Sequence, residues 1–315
     1  MLNKFCIIEL RVFILEGKVT IIDLHMHTTK SDGSLTPTEL IDEAVKNNVK
    51  YISITDHDTL GAYSDELFSY AREKGIHIIT GVEISTKLFD KAFHVLAYNV
   101  DYRDTELNEL LAKIRRARSK YLLDVEKKLS ELGYVLNIEK LKKVESVTKA
   151  NIALDIIENK LNEKKLIDTF GYIPSRGVFI ESIMNEGCPA FVKKDSISPR
   201  EASIAIKKAG GKVVLAHPVV YYRKDKLPLE RIEEVIQSME IDGIEANYIY
   251  YDKNLNRYDD IEKWREFAQK KGLFVTVGSD FHLDDGVKVK IGFVNQDFEL
   301  NEDIVKEILN NLVIK

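Results

Sequence analysis

Cysteine is nearly absent. The 315 residues contain two, Cys6 and Cys188, and neither stands in a C-x-x-C pair. That excludes a disulfide framework and a zinc knuckle, and it fits a reduced, cytoplasmic compartment. Long apolar runs are lacking, so no membrane span is expected. The opening stretch MLNKFCIIELRVFILEG comes nearest, but Glu9 and Arg11 interrupt it. It also lacks the basic-then-apolar order of a signal peptide. Residues 1–18 therefore read as an N-terminal extension: an extra edge strand, a frayed leader or the product of an upstream start. Positive charge is not in excess. Lys and Arg number 46 against 51 Asp and Glu, a net charge of -5, which argues against a partner such as long duplex nucleic acid. No serine or cysteine lies in a nucleophile motif, and there is no internal repeat or low-complexity tract.

What is present is an ordinary globular composition, 44% hydrophobic and 31% charged, in a chain long enough for one large α/β domain or two units. From residue 19 strands and helices alternate. VTIIDLH reads as a strand, and Thr36-Pro37-Thr38-Glu39 caps a helix running to about Asn47. YISITDHD is a second strand, followed by a helix through AYSDELFSYAREKG; IHIITGVEIS and FHVLAYNV are the next two strands. Strands spaced by helices argue for parallel βα units. The rhythm breaks near residue 104. Residues 105–198 read as helical, charged and poor in strands, which predicts an inserted cap domain. It resumes with SPREASIAIKKAGG, KVVLAHP, PLERIEEVIQSME, DGIEANY, DDIEKWREFAQKKG, FVTVGSDFH and NEDIVKEILNNL. The expected fold is an α/β barrel formed by residues 19–104 and 199–315, with its site at the C-terminal strand ends.

Those strand ends carry the chemistry. His25 and His27 stand one residue apart, so a strand points both to one side. Asp32 follows on a turn closed by Gly33. Asp56 and His57, Glu83, His94, His217, and Asp280 with His282 occupy the other strand ends. Each has an ordinary explanation when taken alone: His57 as a turn residue, His94 as a satisfied core histidine, His217 as a strand end before proline. Glu83 lies in an apolar strand and must have a partner. Six of the seven histidines lie at or near a strand end; only His77 reads as structural. Imidazole and carboxylate without thiolate suit zinc, manganese or iron, and about nine such ligands suggest two or three adjacent divalent ions.

The blocks DLHMHTTKSDG, TDHDT, GVEIS, FHVLAY, AHP and GSDFH, in this order, resemble those of the PHP (polymerase and histidinol phosphatase) metallophosphoesterase superfamily. The likeness runs from about residue 20 to the end. Its inserted segment resembles the branch of nucleoside 3',5'-bisphosphate phosphatases and 5'-3' exoribonucleases. The resemblance implies a distorted seven-stranded (β/α) barrel with a trinuclear site. It places His25, His27, Glu83 and Asp280 on one ion. Glu83 bridges to a second with His94 and nearby His217, and Asp32, His57 and His282 take a third. Asp56 is implied to orient a ligand, and His217 or His282 to protonate the leaving group.

The expected activity is hydrolysis of phosphate esters of nucleotides or short 5'-phosphorylated oligonucleotides by metal-activated water. Arg115 and Arg118, on one basic helix with Arg116, suit a second phosphate. Lys149 is a further candidate, in a segment VTKANIA that resembles the family form R-P-H-I-A with Lys149 and Asn151 in place of Arg and His. Arg176, Lys193 and Lys194 are weaker candidates, and Tyr248, Tyr250 and Tyr251 could stack on a base or pack against the insertion. The alternatives are a phosphatase of a non-nucleotide metabolite, such as a sugar phosphate or histidinol phosphate, and a non-catalytic metal-binding regulatory barrel. A metal-dependent amidohydrolase is disfavoured, because no strand ends in a bridging lysine.

Overall fold

Local sequence sets the helix starts. Thr36 caps the helix Pro37–Lys46 through a reciprocal box, with Glu39 N–H donating to the Thr36 hydroxyl and the Glu39 carboxylate accepting from Thr36 N. Ser198 and Glu201 build the same device before the helix Pro199–Lys208. The computed structural model describes residues 21–252, 255–283, 290–292 and 302–312. The N-terminal extension lies outside them.

Ten strands are described: β1 (Ile21–Met26), β2 (Val49–Ile54), β3 (His77–Ile78), β4 (Gly81–Leu88), β5 (Lys91–Tyr98), β6 (Lys212–Leu215), β7 (Gly243–Asn247), β8 (Tyr250–Tyr251), β9 (Arg257–Tyr258) and β10 (Phe274–Val277). They form a parallel sheet β1-β2-β3, a five-stranded sheet β10-β7-β6-β5-β4 and a small pair β8-β9. The two large sheets meet through isolated bridges at or just past their strand ends, Met26 with Phe281 and His57 with Glu83. The fold is mixed α/β, and its pairing is two sheets rather than one continuous closed barrel.

The expectation of parallel units fails at one place. β4 and β5 are an antiparallel hairpin, and β5 also pairs antiparallel with β6. Phe89 and Asp90 turn the hairpin with φ of 50° and 58°. Both positive angles match the two-residue turn whose twist suits adjacent strands. No Asn-Gly or Asp-Gly marks that turn, so the sequence hides it. IHIITGVEIS is likewise broken into β3 and β4 rather than one strand.

A separate apolar cluster runs from Tyr121 to Ala190 and includes Leu129, Ile152, Ile156 and Phe179. The helix Thr105–Glu131 spans both cores. Leu107, Leu111 and Ile114 pack into the main core, and Tyr121, Leu122 and Val125 into the second. Packing therefore changes hands partway along one helix, close to Arg118.

Candidate metal centre

The pleat delivers the first histidines. Leu24 and Met26 point into apolar clusters while His25 and His27 alternate with them, fully buried. Past the strand the chain turns through Thr28–Gly33. A Cβ on Gly33 would collide with the His27 carbonyl, so the tight turn that presents Asp32 needs glycine there. Asp56 holds this turn, accepting from Thr28 N at 2.7 Å, the Ser31 hydroxyl at 2.6 Å and the Thr28 hydroxyl at 2.6 Å. It contacts none of the site histidines directly and acts through the loop.

Glu83 sits at the middle. Its Oε1 lies 2.8 Å from His94 Nδ1, 3.1 Å from His217 Nε2 and 3.4 Å from His25 Nε2. Its Oε2 lies 2.9 Å from His57 Nδ1 and 3.4 Å from His27 Nε2. Asp280 Oδ1 reaches His27 Nε2 at 3.1 Å and His25 Nε2 at 3.4 Å. Asp32 Oδ1 is 3.2 Å from His282 Nε2. Three groups have ligand atoms within 4.8 Å of one another: His25, His27, Glu83 and Asp280; His27, Asp32, His57 and His282; and His57, Glu83 and His94. His217 borders them through Glu83. Three residues in or beside these groups hold a positive φ: His217 at 29°, Asp280 at 54° and Asp58 at 54°.

The donor set fits divalent cations on a direct observation. His25 Nε2, Asp32 Oδ1, His57 Nδ1, Glu83 Oε2, His94 Nδ1 and His217 Nδ1 are buried and lack an aligned hydrogen-bond partner among the described residues. Buried polar atoms are rarely left so without a reason, and five of these six belong to the three groups above, which fits cations held there. Electrostatics agree. Burial opposes charge on Glu83, yet His94, His57 and His25 outweigh it and hold its pKa well below the ordinary range. Burial likewise opposes charge on His282, but Asp32 and Asp280 raise it to about 9. His27 is driven the other way, to about 3, by burial and by the His282 and His57 imidazoles.

Two buried carboxylates beside the site carry no mark in the sequence analysis above. Glu245 in β7 is fully buried, takes His25 Nδ1 at 3.0 Å and 3.1 Å, and accepts from His217 N at 2.9 Å. By accepting from Nδ1 it turns His25 Nε2 toward the centre. Its signal was available: a carboxylate inside the apolar strand GIEAN needs a partner, as Glu83 in GVEIS does. Asp23 is also buried and accepts from Ser279 N and Gly292 N, tying β1 to the chain after β10. Gly278 makes room for this packing, since a Cβ there would collide with His25 Cβ and Glu245 Oε1. Gly278→Ala is expected to lower stability by about 1–3 kcal/mol, read from the urea unfolding midpoint.

A cavity of about 360 Å³ opens onto the centre, bordered by His57, His94, His217, Lys224, Tyr250 and Tyr251 among others. Tyr248 also lines it and donates to Asp280 Oδ2 at 3.1 Å, while Tyr250 stacks on Tyr258. The basic candidates are not among its lining residues. Arg118 is buried and donates to Asp58, Ser85 Oγ and the Val147 carbonyl. Arg115 donates to the Asp58 carbonyl, and Lys149 to Asn185 Oδ1 and the Met184 carbonyl. Arg116 and Lys193 are exposed.

A family model, the PHP domain, matches residues 23–166. The chain is 30% identical over 266 residues to a 5'-3' exoribonuclease of Haemophilus influenzae, covering 84% of this chain and 90% of that protein. It is 29% identical over 265 residues to a 3',5'-nucleoside bisphosphate phosphatase of Chromobacterium violaceum, covering 83% and 87%. Among solved structures it resembles a candidate metal-dependent phosphoesterase of Bifidobacterium adolescentis, with TM-score 0.72 and 25% identity over 95% of this chain and 99% of that one. No helix of the described residues is long and apolar enough to cross a membrane.

Proposed function

The chain belongs to the PHP domain family and is a phosphoric ester hydrolase, and from that premise we propose that it acts on nucleotides. The substrates are nucleoside mono- or 3',5'-bisphosphates, or short 5'-phosphorylated oligonucleotides. The observation that carries the reading is the convergence of five imidazoles on the Glu83 carboxylate. In this reading the two large sheets are arcs of one distorted seven-stranded barrel, joined at the Met26–Phe281 and His57–Glu83 bridges. Residues 105–198 are its cap.

His25, His27, Glu83 and Asp280 would hold one ion, Asp32, His57 and His282 a second, and Glu83 with His94 a third beside His217. Bound divalent ions supply an activated water and neutralise phosphoryl charge. The chain's own groups do the rest. Glu83 fixes the imidazoles and Asp56 fixes the loop that carries Asp32. His282 has both ring nitrogens occupied, Nδ1 donating to the Asp280 carbonyl at 2.8 Å and Nε2 facing Asp32. His217 has Nε2 on Glu83 and keeps Nδ1 without a partner, so it is the better placed to give a proton to the leaving oxygen. Lys224 and the pair Tyr250 and Tyr251 border the cavity as a cation and two ring faces, suited to a phosphate and a base.

One observation favours a second reading, a phosphatase of a non-nucleotide metabolite. Lys149, standing where the family pattern has Arg, directs its amine to Asn185 and Met184 rather than to the cavity. Phosphate release by the manganese-loaded protein separates the two. The panel is a nucleoside 5'-monophosphate, adenosine 3',5'-bisphosphate, a 5'-phosphorylated short RNA, histidinol phosphate and a sugar phosphate, each with a chelator control. Chelator-sensitive turnover of the nucleotides or RNA is expected. Turnover of the small metabolites alone overturns the substrate assignment.

A further inference from the structure

We propose that the inserted cap completes the metal centre, through the Thr148 hydroxyl acting as the positioning group for the Asp32 carboxylate. The inference rests on the reading of Asp32 as a metal ligand given above.

Asp32 stands on a turn, outside every strand, so no ladder of hydrogen bonds fixes it. The terminal torsion of an aspartate is also broad, and a free carboxylate samples many orientations. Here one oxygen is fixed. Thr148 Oγ1 donates to Asp32 Oδ2 at 2.9 Å, and both residues are buried. The other oxygen, Oδ1, has no aligned donor and lies 3.2 Å from His282 Nε2. The hydroxyl thus turns one oxygen toward the cap and leaves its twin for a cation.

The hydroxyl is itself aimed. Thr148 caps the helix Lys149–Glu158, and its Oγ1 accepts from Ala150 N at 3.1 Å and Asn151 N at 3.3 Å. With its lone pairs facing the helix start, its single proton is left for an acceptor in front. Two acceptors are in reach, and Asp32 at 2.9 Å is nearer than Asn151 Oδ1 at 3.1 Å. Neighbouring bonds hold the two segments in register. Ser146 N donates to the Lys30 carbonyl at 3.1 Å, and Asn151 Nδ2 to the Ser31 carbonyl at 3.0 Å. Residues 30, 31 and 32 are each tied to the cap. Asn151 serves twice, since its Oδ1 also accepts from Thr148 N at 2.7 Å and closes the capping box. A displaced cap would release Asp32, so the ion held by Asp32, His57 and His282 binds tightly only when the cap is seated.

The test measures metal rather than turnover. The full-length protein is stripped, titrated with manganese against a chromophoric chelator, and compared with Thr148→Val and Thr148→Ser. The expected result is about a ten- to hundredfold weakening of one ion in Thr148→Val, with the others unchanged. Thr148→Ser, which keeps the hydroxyl, should restore it. A folded Thr148→Val with unchanged affinities overturns the proposal. So does uniform weakening of every ion in step with a lower melting temperature, because that is the signature of a helix cap alone. Asp32→Asn separates the layers. If it loses one ion while Thr148→Val loses none, only the present inference falls. If Asp32→Asn binds every ion as the wild type does, the ligand assignment beneath it falls too.

Discussion

Glu83→Gln is expected to lower kcat/KM by about 10³-fold or more, roughly 4 kcal/mol of transition-state stabilisation, in a protein that still folds. The substitution keeps the side chain's volume, so the core beside Val82 and Ile84 is undisturbed. What it removes is charge. Glu83 is fully ionised at neutral pH because the histidines facing it outweigh the cost of burial. Gln puts a neutral amide, with N–H groups on one side, against five imidazole nitrogens that now meet carboxylate oxygens. Imidazoles that must present lone pairs to cations lose the anion that holds them together. Phosphate release, metal content and thermal melting would be read on one preparation. Near-normal turnover in a folded Glu83→Gln would sink the reading of a shared carboxylate.

Much of this site could be read from the sequence because strand ends are simple. An i, i+2 pair on a strand must share a face, and His25 with His27 does. A carboxylate in an apolar strand must have partners, and Glu83 has five. The same rule applied evenly would have found Glu245. Other features lay beyond sequence reasoning for physical reasons. The β4–β5 hairpin turns on Phe89 and Asp90 without the glycine that marks such a two-residue turn, so its direction could not be read as antiparallel. Arg115, Arg116 and Arg118 are candidates by charge, and charge does not tell which way a helix faces. Arg115 and Arg118 face the body of the protein and Arg116 faces solvent. Asn151, a departure from the family pattern, acquires a role only through contacts to Ser31 that no spacing reveals.

Arg118→Ala is expected to cost about 3–5 kcal/mol of stability, through the charge it leaves behind. Arg118 Nε and Nη2 grip Asp58 Oδ2 at 2.7 Å and 2.6 Å, with the Asp58 side chain fully buried. Burial alone would raise the Asp58 pKa, and Arg118 is the leading group that holds it down. Without the guanidinium, Asp58 is a buried anion next to His57, and the helix Thr105–Glu131 also loses bonds to Val147 and Ser85. Arg118→Lys should rescue little, since one ammonium cannot reach three partners in a fork. The double variant Asp58→Asn/Arg118→Met should recover part of the loss. It removes both charges, keeps an acceptor for Ser85 N, and places at residue 58 the side chain that best tolerates a φ of 54°. Urea midpoints of the four proteins decide between two roles for this arginine. A folding role predicts the order wild type, double variant, Arg118→Lys, Arg118→Ala. Unchanged midpoints together with a raised KM for a bisphosphate would instead make Arg118 a substrate contact. In that case the helix Thr105–Glu131 would have to move far enough to free a guanidinium that now joins it to the strand end bearing His57.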